Sequence, residues 1–139
     1  MKKLNVVVGL LATGSLLLAG QAMAACTGNA MNVSGITTAL SGNTVCAVRG
    51  KDKWQEYHAP GGGLIDYKMG PTDKVDPSKN VGSWSVTGNS AGNQARVNYN
   101  YGSGGQYSYT VYSNGGGSYS FCSGGELLVS VVSGQVKCP

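Results

Sequence analysis

Charged residues are scarce in this chain, and the residue types that most enzymes and metal sites use are scarcer still. Asp, Glu, Lys and Arg make up 12% of the 139 residues, and His58 is the single histidine. One histidine with scattered carboxylates falls short of the ligand count of a metal centre, and the four cysteines include no zinc-type C-x-x-C pair. We therefore predict no metal, no cofactor and no enzymatic activity.

Long apolar runs are also absent, apart from one at the start of the chain. Two lysines at positions 2 and 3 precede an uncharged, mostly apolar stretch over residues 4–20, and the tripeptide Ala-Met-Ala at 22–24 follows it. This pattern is typical of a secretory signal peptide, and the run is shorter than the roughly 20 residues of a membrane span. We predict a signal peptide over residues 1–24 and a single domain over residues 25–139, periplasmic or extracellular.

The four cysteines form an early pair, Cys26 and Cys46, and a late pair, Cys122 and Cys138. An even number of cysteines in an exported chain indicates two disulfides, for which three connectivities exist. We favour Cys26 with Cys46 and Cys122 with Cys138, because each of these bridges closes a local loop. The alternative to plain secretion is a degenerate lipoprotein box ending at Cys26, although lipidation there would leave an odd number of cysteines.

Strong positive charge is missing once the predicted leader is removed. Eight basic residues then stand against six acidic ones, a net charge of +2, and such a balance gives no electrostatic footprint for nucleic acid. Eleven of these charges fall within residues 49–79. The rest of the domain must therefore stay soluble through Ser, Thr, Asn and Gly.

Glycine is abundant, at 23 residues, and it separates short segments that alternate apolar and polar side chains. Residues 44–48, 54–58 and 64–69 are predicted strands, and a loop with two prolines follows over residues 70–80. Successive side chains on a strand point to opposite faces, so the later segments present one ring-bearing face and one face of Ser, Thr and Asn. The residues of the ring-bearing face are Trp84, Val86, Val97, Tyr99, Tyr101, Tyr107, Tyr109, Val111, Tyr119 and Phe121.

Short Gly- and Asn-rich connections between these segments are typical of hairpins in an antiparallel meander. The last segment, residues 127–132, is apolar on both faces, which favours a strand that is covered on both sides or that closes a barrel. An apolar cluster over residues 36–40, behind Ser34, predicts one or two helical turns ended by Gly42. We predict an all-β fold of seven to eight short strands in a small up-and-down barrel, with a two-sheet sandwich as the alternative.

Five sequence motifs follow one another along the domain: LSGNTVC, WQEYH, LIDYK, GPTDKVDPSKNVGSW and a tyrosine-rich meander ending in YSFCSG. In this order they resemble small exported bacterial β-proteins of uncharacterised activity, over most of residues 25–139. That resemblance implies export and a β fold, and no particular activity. The chain also loosely resembles lipocalins, through the G-x-W at residues 82–84, the short helical turn and the antiparallel barrel. The lipocalin G-x-W opens the first strand, however, whereas Trp84 follows at least three strand-like segments.

His58 is the side chain best suited to acid–base work near neutral pH. It shares strand parity with Trp54 and Glu56, and Asp66 and Lys68 are predicted on the neighbouring strand. These residues form either a small polar or metal site or a solvated strand face with cross-strand ion pairs, and we favour the solvated face.

Three other motifs are better explained as turns. Residues 88–92 match G-x-S-x-G around Ser90, but a nucleophile elbow needs a helix after the serine and a histidine later in the chain. The loop over residues 73–80 offers alternating oxygens, as calcium loops do, but Pro77 interrupts it and no glutamate closes it. The glycine clusters lack the following helix and lysine of a phosphate cradle.

The tyrosine rows carry the strongest functional signal. Inside a barrel they either line a cavity for a small hydrophobic or sugar-like ligand or fill a narrow aromatic core, and both arrangements require the same alternation. We predict a non-catalytic binding or accessory protein; the alternative is a self-assembling surface protein that pairs through uncharged strand edges. The predicted ligand-binding residues are Trp54, His58, Tyr67, Trp84, Tyr99 and Tyr109.

Overall fold

The structure is a computed structural model, and it describes residues 26–50, 52–66, 79–88 and 95–139. The predicted signal peptide, Tyr67, Lys68, Ser90 and most of the candidate calcium loop lie outside the described residues.

One helix and eight strands make up the described chain, as the predicted fold class requires. A short 3-10 turn, Gly102–Gly104, lies between the fifth and sixth strands. The elements in chain order are α1 (Val33–Leu40), β1 (Asn43–Arg49), β2 (Asp52–His58), β3 (Gly63–Asp66), β4 (Lys79–Thr87), β5 (Arg96–Asn100), β6 (Gln106–Gly115), β7 (Ser118–Cys122) and β8 (Glu126–Ser133).

The strands form a closed antiparallel barrel in which every strand pairs with its neighbours in sequence, and β8 pairs with β1. Closure runs through Cys46 opposite Ser130 and Ala47 opposite Val129. The barrel prediction is therefore confirmed over the sandwich. Each of the eight described strands is hydrogen-bonded on both sides. None of these strands therefore offers a free edge for self-association.

The alternation along β4 to β7 places the rings inside the barrel, as predicted. Trp84 pairs with Tyr99, and Tyr99 pairs with Tyr107, so these three rings share the inner face. On the outer face Ser85 pairs with Asn98, and Asn98 pairs with Ser108. The period of two along each strand thus separates an aromatic interior from a polar wall.

Helix α1 covers one end of the barrel. Asn32, rather than Ser34, is its N-cap, because the Asn32 side chain accepts a hydrogen bond from the Gly35 N–H at 2.7 Å, which satisfies one of the free N–H groups of the first turn. The helix buries Ile36 and Leu40 completely against the barrel core. None of the described residues belongs to a helix long and apolar enough to cross a membrane.

The predicted disulfide pairing is wrong: the bridges are Cys26–Cys122 and Cys46–Cys138. The prediction favoured cysteines that are close in the sequence. Barrel closure instead brings distant parts of the chain together. After β8 the chain turns back over the outer side of β1 and β2, where the Cys138 N–H donates to the Gln55 side chain at 2.6 Å. Each bridge therefore fastens a terminal segment to the barrel wall.

Candidate functional site

Consecutive strands run in opposite directions, so their connections alternate between the two ends of the barrel. The helix-covered end holds α1 and the connections β2–β3, β4–β5 and β6–β7. The open end holds the connections β1–β2, β3–β4, β5–β6 and β7–β8.

Inward-facing side chains lie next to the open-end connections, and we call five of them the mouth; Arg49, at the end of β1, shares their inward parity. Two of the mouth's large rings are accessible, since Trp54 is 38% exposed and Tyr107 is 49% exposed. At the helix-covered end, by contrast, Leu64 and Val97 are fully buried. The mouth residues are Trp54, Asp66, Tyr101, Tyr107 and Leu127.

An aromatic cluster lies beneath the mouth, with Tyr99 at its centre. Its rings meet at the edge-to-face and offset distances that aromatic pairs prefer. Tyr101, which lies 5.9 Å from Tyr107, connects this cluster to the mouth. The distances from the ring centroid of Tyr99 are 5.5 Å to His58, 6.0 Å to Tyr109, 6.2 Å to Tyr101 and 6.3 Å to Phe121.

His58 is sealed inside the barrel at the deep side of this cluster, with no exposed surface. Its Nδ1 lies 3.0 Å from the Glu56 carbonyl oxygen, and its Nε2 lies 2.9 Å from the Tyr99 hydroxyl. A carbonyl oxygen only accepts, so Nδ1 carries the proton and Nε2 accepts from the Tyr99 hydroxyl. Burial lowers the pKa of His58 from 6.5 to about 4, so the ring is neutral at physiological pH.

Glu56 is the carboxyl group nearest the aromatic cluster. It faces inward on β2, with Val45 and Asp66 as its cross-strand partners, and the Tyr101 hydroxyl donates to its carboxylate at 2.7 Å. Burial raises the pKa of Glu56 from 4.5 to about 7; the Tyr101 hydrogen bond opposes this shift, and the charge of Asp66 adds to it. Glu56 therefore changes its charge near neutral pH beside the aromatic cluster.

Four of the six predicted ligand-binding residues, His58, Trp84, Tyr99 and Tyr109, lie in one connected aromatic cluster. Trp54 faces inward from the mouth, opposite Ala47 of β1. Tyr67, the sixth, lies outside the described residues.

The solvated face that we favoured for His58 is wrong, because barrel closure turns that face inward and buries the ring. The prediction also missed Tyr101 and Tyr107 as site residues. The signal for them was available, since both share strand parity with Tyr99 and Tyr109.

In the described residues, the other motifs form a turn and a hydrogen bond to the backbone. The three glycines at 115–117 all have positive φ and form the β6–β7 turn, and Asn80 of the candidate calcium loop uses its side-chain oxygen to accept from the Gly82 N–H at 3.2 Å. Within the described ranges, no group of three or more His, Cys, Asp and Glu side chains is arranged to hold a metal ion.

Comparison with known proteins gives no match to this chain, whether among protein-family models, curated proteins or solved structures. The geometry of the barrel interior is therefore the basis on which a function is proposed.

Proposed function

We propose that the protein is an exported, non-catalytic binding protein that takes up a small flat or sugar-like ligand at the open end of its barrel. The observation that carries this proposal is the unequal exposure of inward-facing side chains. Trp54 and Tyr107 remain accessible at the mouth, while the residues under α1 are sealed. Eight-stranded barrels are just wide enough to be filled by side chains or to hold one small ligand.

The chemistry of the mouth suits stacking combined with a few oriented hydrogen bonds. Trp54 and Tyr107 offer ring faces, and the Glu56–Tyr101 pair offers a carboxyl and a hydroxyl group at the base of the mouth. Apolar walls with a small number of placed polar groups are the usual composition of ligand pockets. A flat aromatic molecule or the apolar face of a sugar ring fits this composition.

The buried environment of His58 supports a binding role without catalysis. Its two nitrogens are both occupied by hydrogen bonds within the protein, and its fully buried ring packs against Tyr99 and Trp84. A general base must come within hydrogen-bond reach of a substrate proton. His58 holds Tyr99 in place instead, and so positions the aromatic cluster.

Export is supported by the leader-like start of the chain and by the two disulfides, since such bridges persist in oxidising compartments. The proposal places the protein in the periplasm or outside the cell. The likeness to lipocalins extends to the antiparallel barrel and the short helix, while the G-x-W stands in β4 rather than in the first strand.

Tryptophan fluorescence tests the proposal directly, because the chain has two tryptophans at different depths. Trp54 lies in the mouth, and Trp84 is buried, with its indole N–H donating to the Ala59 carbonyl at 2.9 Å. The variant Trp84→Phe leaves Trp54 as the only reporter, and Trp54→Phe leaves Trp84. Both variants are titrated with flat aromatic compounds and with small saccharides.

We expect a saturable change in the emission of Trp54 and a much smaller change in that of Trp84. Circular dichroism of each variant checks that the barrel remains folded. If neither reporter responds to any compound, or if only Trp84 responds, a ligand site at the open end is contradicted.

A further inference from the structure

A concave surface lies on the outer wall of the barrel, and Tyr107 is the residue that it shares with the mouth. It crosses β4, β5 and β6, is open to solvent and has a volume of about 370 Å³, and we call it the outer trough. Its outward-facing residues are Ser83, Ser85, Asn98, Asn100, Gln106 and Ser108.

The side chains of the outer trough form two rows that run across the three strands. Cross-strand pairing places Ser83, Asn100 and Gln106 in one row, and Ser85 begins the next row. Neighbouring strands lie about 4.8 Å apart, and side chains on one face repeat about every 6.7 Å along a strand. The trough therefore presents a regular array of hydroxyl and amide groups.

The floor of the outer trough is held rigid by Asn98. Its side-chain nitrogen donates to the Thr87 hydroxyl at 2.9 Å, and its side-chain oxygen accepts from the Ser108 hydroxyl at 2.8 Å. Asn100 is also oriented, because its side-chain oxygen accepts from the Gly102 N–H at 2.9 Å and its NH₂ group is left as the free donor. Groups that are already ordered lose less entropy when a ligand binds.

The rim of the outer trough is open to solvent. Ser83, Ser85 and Gln106 are exposed, so their hydroxyl and amide groups are accessible to a ligand. The outward-facing side chains of the trough carry neither formal charge nor a large apolar group.

We propose that the outer trough is a binding site for neutral glycans. An array of short hydroxyl and amide side chains both donates and accepts hydrogen bonds, as the hydroxyl groups of a sugar chain require. Anionic ligands would need cationic side chains, and lipids would need apolar ones. A peptide strand would need an unpaired backbone edge, whereas β4, β5 and β6 are paired on both sides.

The proposal does not depend on a ligand in the mouth, because the polar side chains of the outer trough face outward from β4, β5 and β6, whereas the mouth residues face inward. A protein with this site would dock on a polysaccharide surface through its wall and keep the mouth free. The two sites therefore have separate reporters.

The test is a nuclear magnetic resonance titration of the oxidised protein with chitotriose, cellotriose and maltotriose. Side-chain NH₂ signals of Asn98, Asn100 and Gln106 report the outer trough, and the indole signal of Trp54 reports the mouth. We expect saturable, millimolar-range shifts of the trough signals with at least one of the three sugars.

Substitution of Ser85 by tyrosine fills the outer trough with a bulky ring at an exposed strand position, where tyrosine favours β structure. Ser85→Tyr is expected to weaken sugar binding at least about tenfold, and loss of one neutral hydrogen bond in Gln106→Ala about threefold to tenfold. The matched control is Ser130→Tyr, the same change at an exposed position of β8 outside the trough, which should leave binding unchanged.

Two results would overturn the proposal. One is the lack of any saturable shift with all three sugars. The other is binding that shifts the Trp54 indole and is unaffected by Ser85→Tyr, which would place the sugar in the mouth. The second result would support the proposed function while removing the outer trough as a glycan site.

Discussion

The helix-covered end and the open end of this barrel are built from the same strands and the same alternation, yet they differ in how their inner residues meet solvent. Ile36 and Leu40 of α1 are completely buried, and Val111 of β6 is almost completely buried. At the mouth, Trp54 and Tyr107 keep more than a third of their surface accessible. A short helix at one end therefore decides which inner residues form a core and which are left to meet a ligand.

The difference also concerns stability. Full burial of a large aliphatic side chain contributes about 1.5 to 3 kcal/mol, so α1 contributes about 3 to 6 kcal/mol through Ile36 and Leu40. The mouth offers less burial, and regions with few buried contacts open more easily. We infer that the barrel is most stable at the helix-covered end, which leaves the mouth free to adapt.

The largest expected effect comes from removing the bridge that fastens the segment before α1. The double variant Cys26→Ala and Cys122→Ala opens a link between residues 96 positions apart, and the chain-entropy account predicts a loss of roughly 4 to 5 kcal/mol in the free energy of unfolding. Urea unfolding measures the loss, and hydrogen exchange should show faster opening of α1 than of β2. Equal loosening of both ends would remove the distinction between them.

A pair of leucine truncations compares the two ends directly. Leu40→Ala should lower the free energy of unfolding by about 3 kcal/mol, because the site is fully buried under the barrel end. Leu127→Ala, at the partly exposed mouth, should cost about 1 kcal/mol. Both values come from denaturant unfolding. A larger cost at Leu127 would mean that the mouth, and not the helix, holds the principal core.

The pH dependence of stability separates the two ionisable groups inside the barrel. His58 has its pKa lowered to about 4, so its contribution is present above pH 6.5 and is lost as the pH falls. Glu56 has its pKa raised to about 7, so its contribution is present below pH 4.5 and is lost as the pH rises. Each contribution amounts to at most about 3 kcal/mol, and the two opposite slopes offset each other in the intact protein.

Single variants should expose these slopes. Relative to the intact protein, Glu56→Gln should lose stability on acidification from about pH 7 to about pH 4.5, and His58→Gln should lose it as the pH rises from about 4 to about 6.5. Urea midpoints measured across this range check both signs. If the stability difference between Glu56→Gln and the intact protein does not change with pH, the mouth side of the cluster is as hydrated as bulk water.

A single added methyl group tests how closely the strands approach near the mouth. Gly82 faces inward on β4, and a Cβ there would collide with the carbonyl of Asn100. Gly82→Ala should therefore cost about 1 to 3 kcal/mol. Gly125→Ala is the control, because a Cβ at Gly125 meets no atom within 4 Å, and it should be neutral to within about 0.5 kcal/mol. Thermal unfolding of both variants measures the difference, and an unaffected Gly82→Ala would show that the strands near the mouth can separate.

Strand parity was enough to predict the barrel and most of its aromatic lining. Tyr99 and Tyr109 share parity with their neighbours along β5 and β6, and the same rule extends to Tyr101 and Tyr107. Local alternation carries this information because a strand residue has only two faces to choose from.

Two features depended on closure and were not predictable from local pattern. The acidic and basic neighbours of His58 favoured a solvated face, but the pairing of β8 with β1 made that face the interior. The same closure carried Cys138 back onto Cys46 and placed Cys122 beside Cys26. Sequence distance is therefore a poor guide to proximity where the first and last strands meet.

The length of chain between the bridged cysteines also constrains the order in which the protein matures. During the proposed export from the N-terminus, Cys26 and Cys46 enter the oxidising compartment together, well before Cys122 and Cys138 arrive. A mispaired bridge between the two early thiols is then the first product within reach. Native oxidation must wait for the last strand to dock, or an isomerase must undo the early mistake, so we expect secretion yield to depend on disulfide exchange.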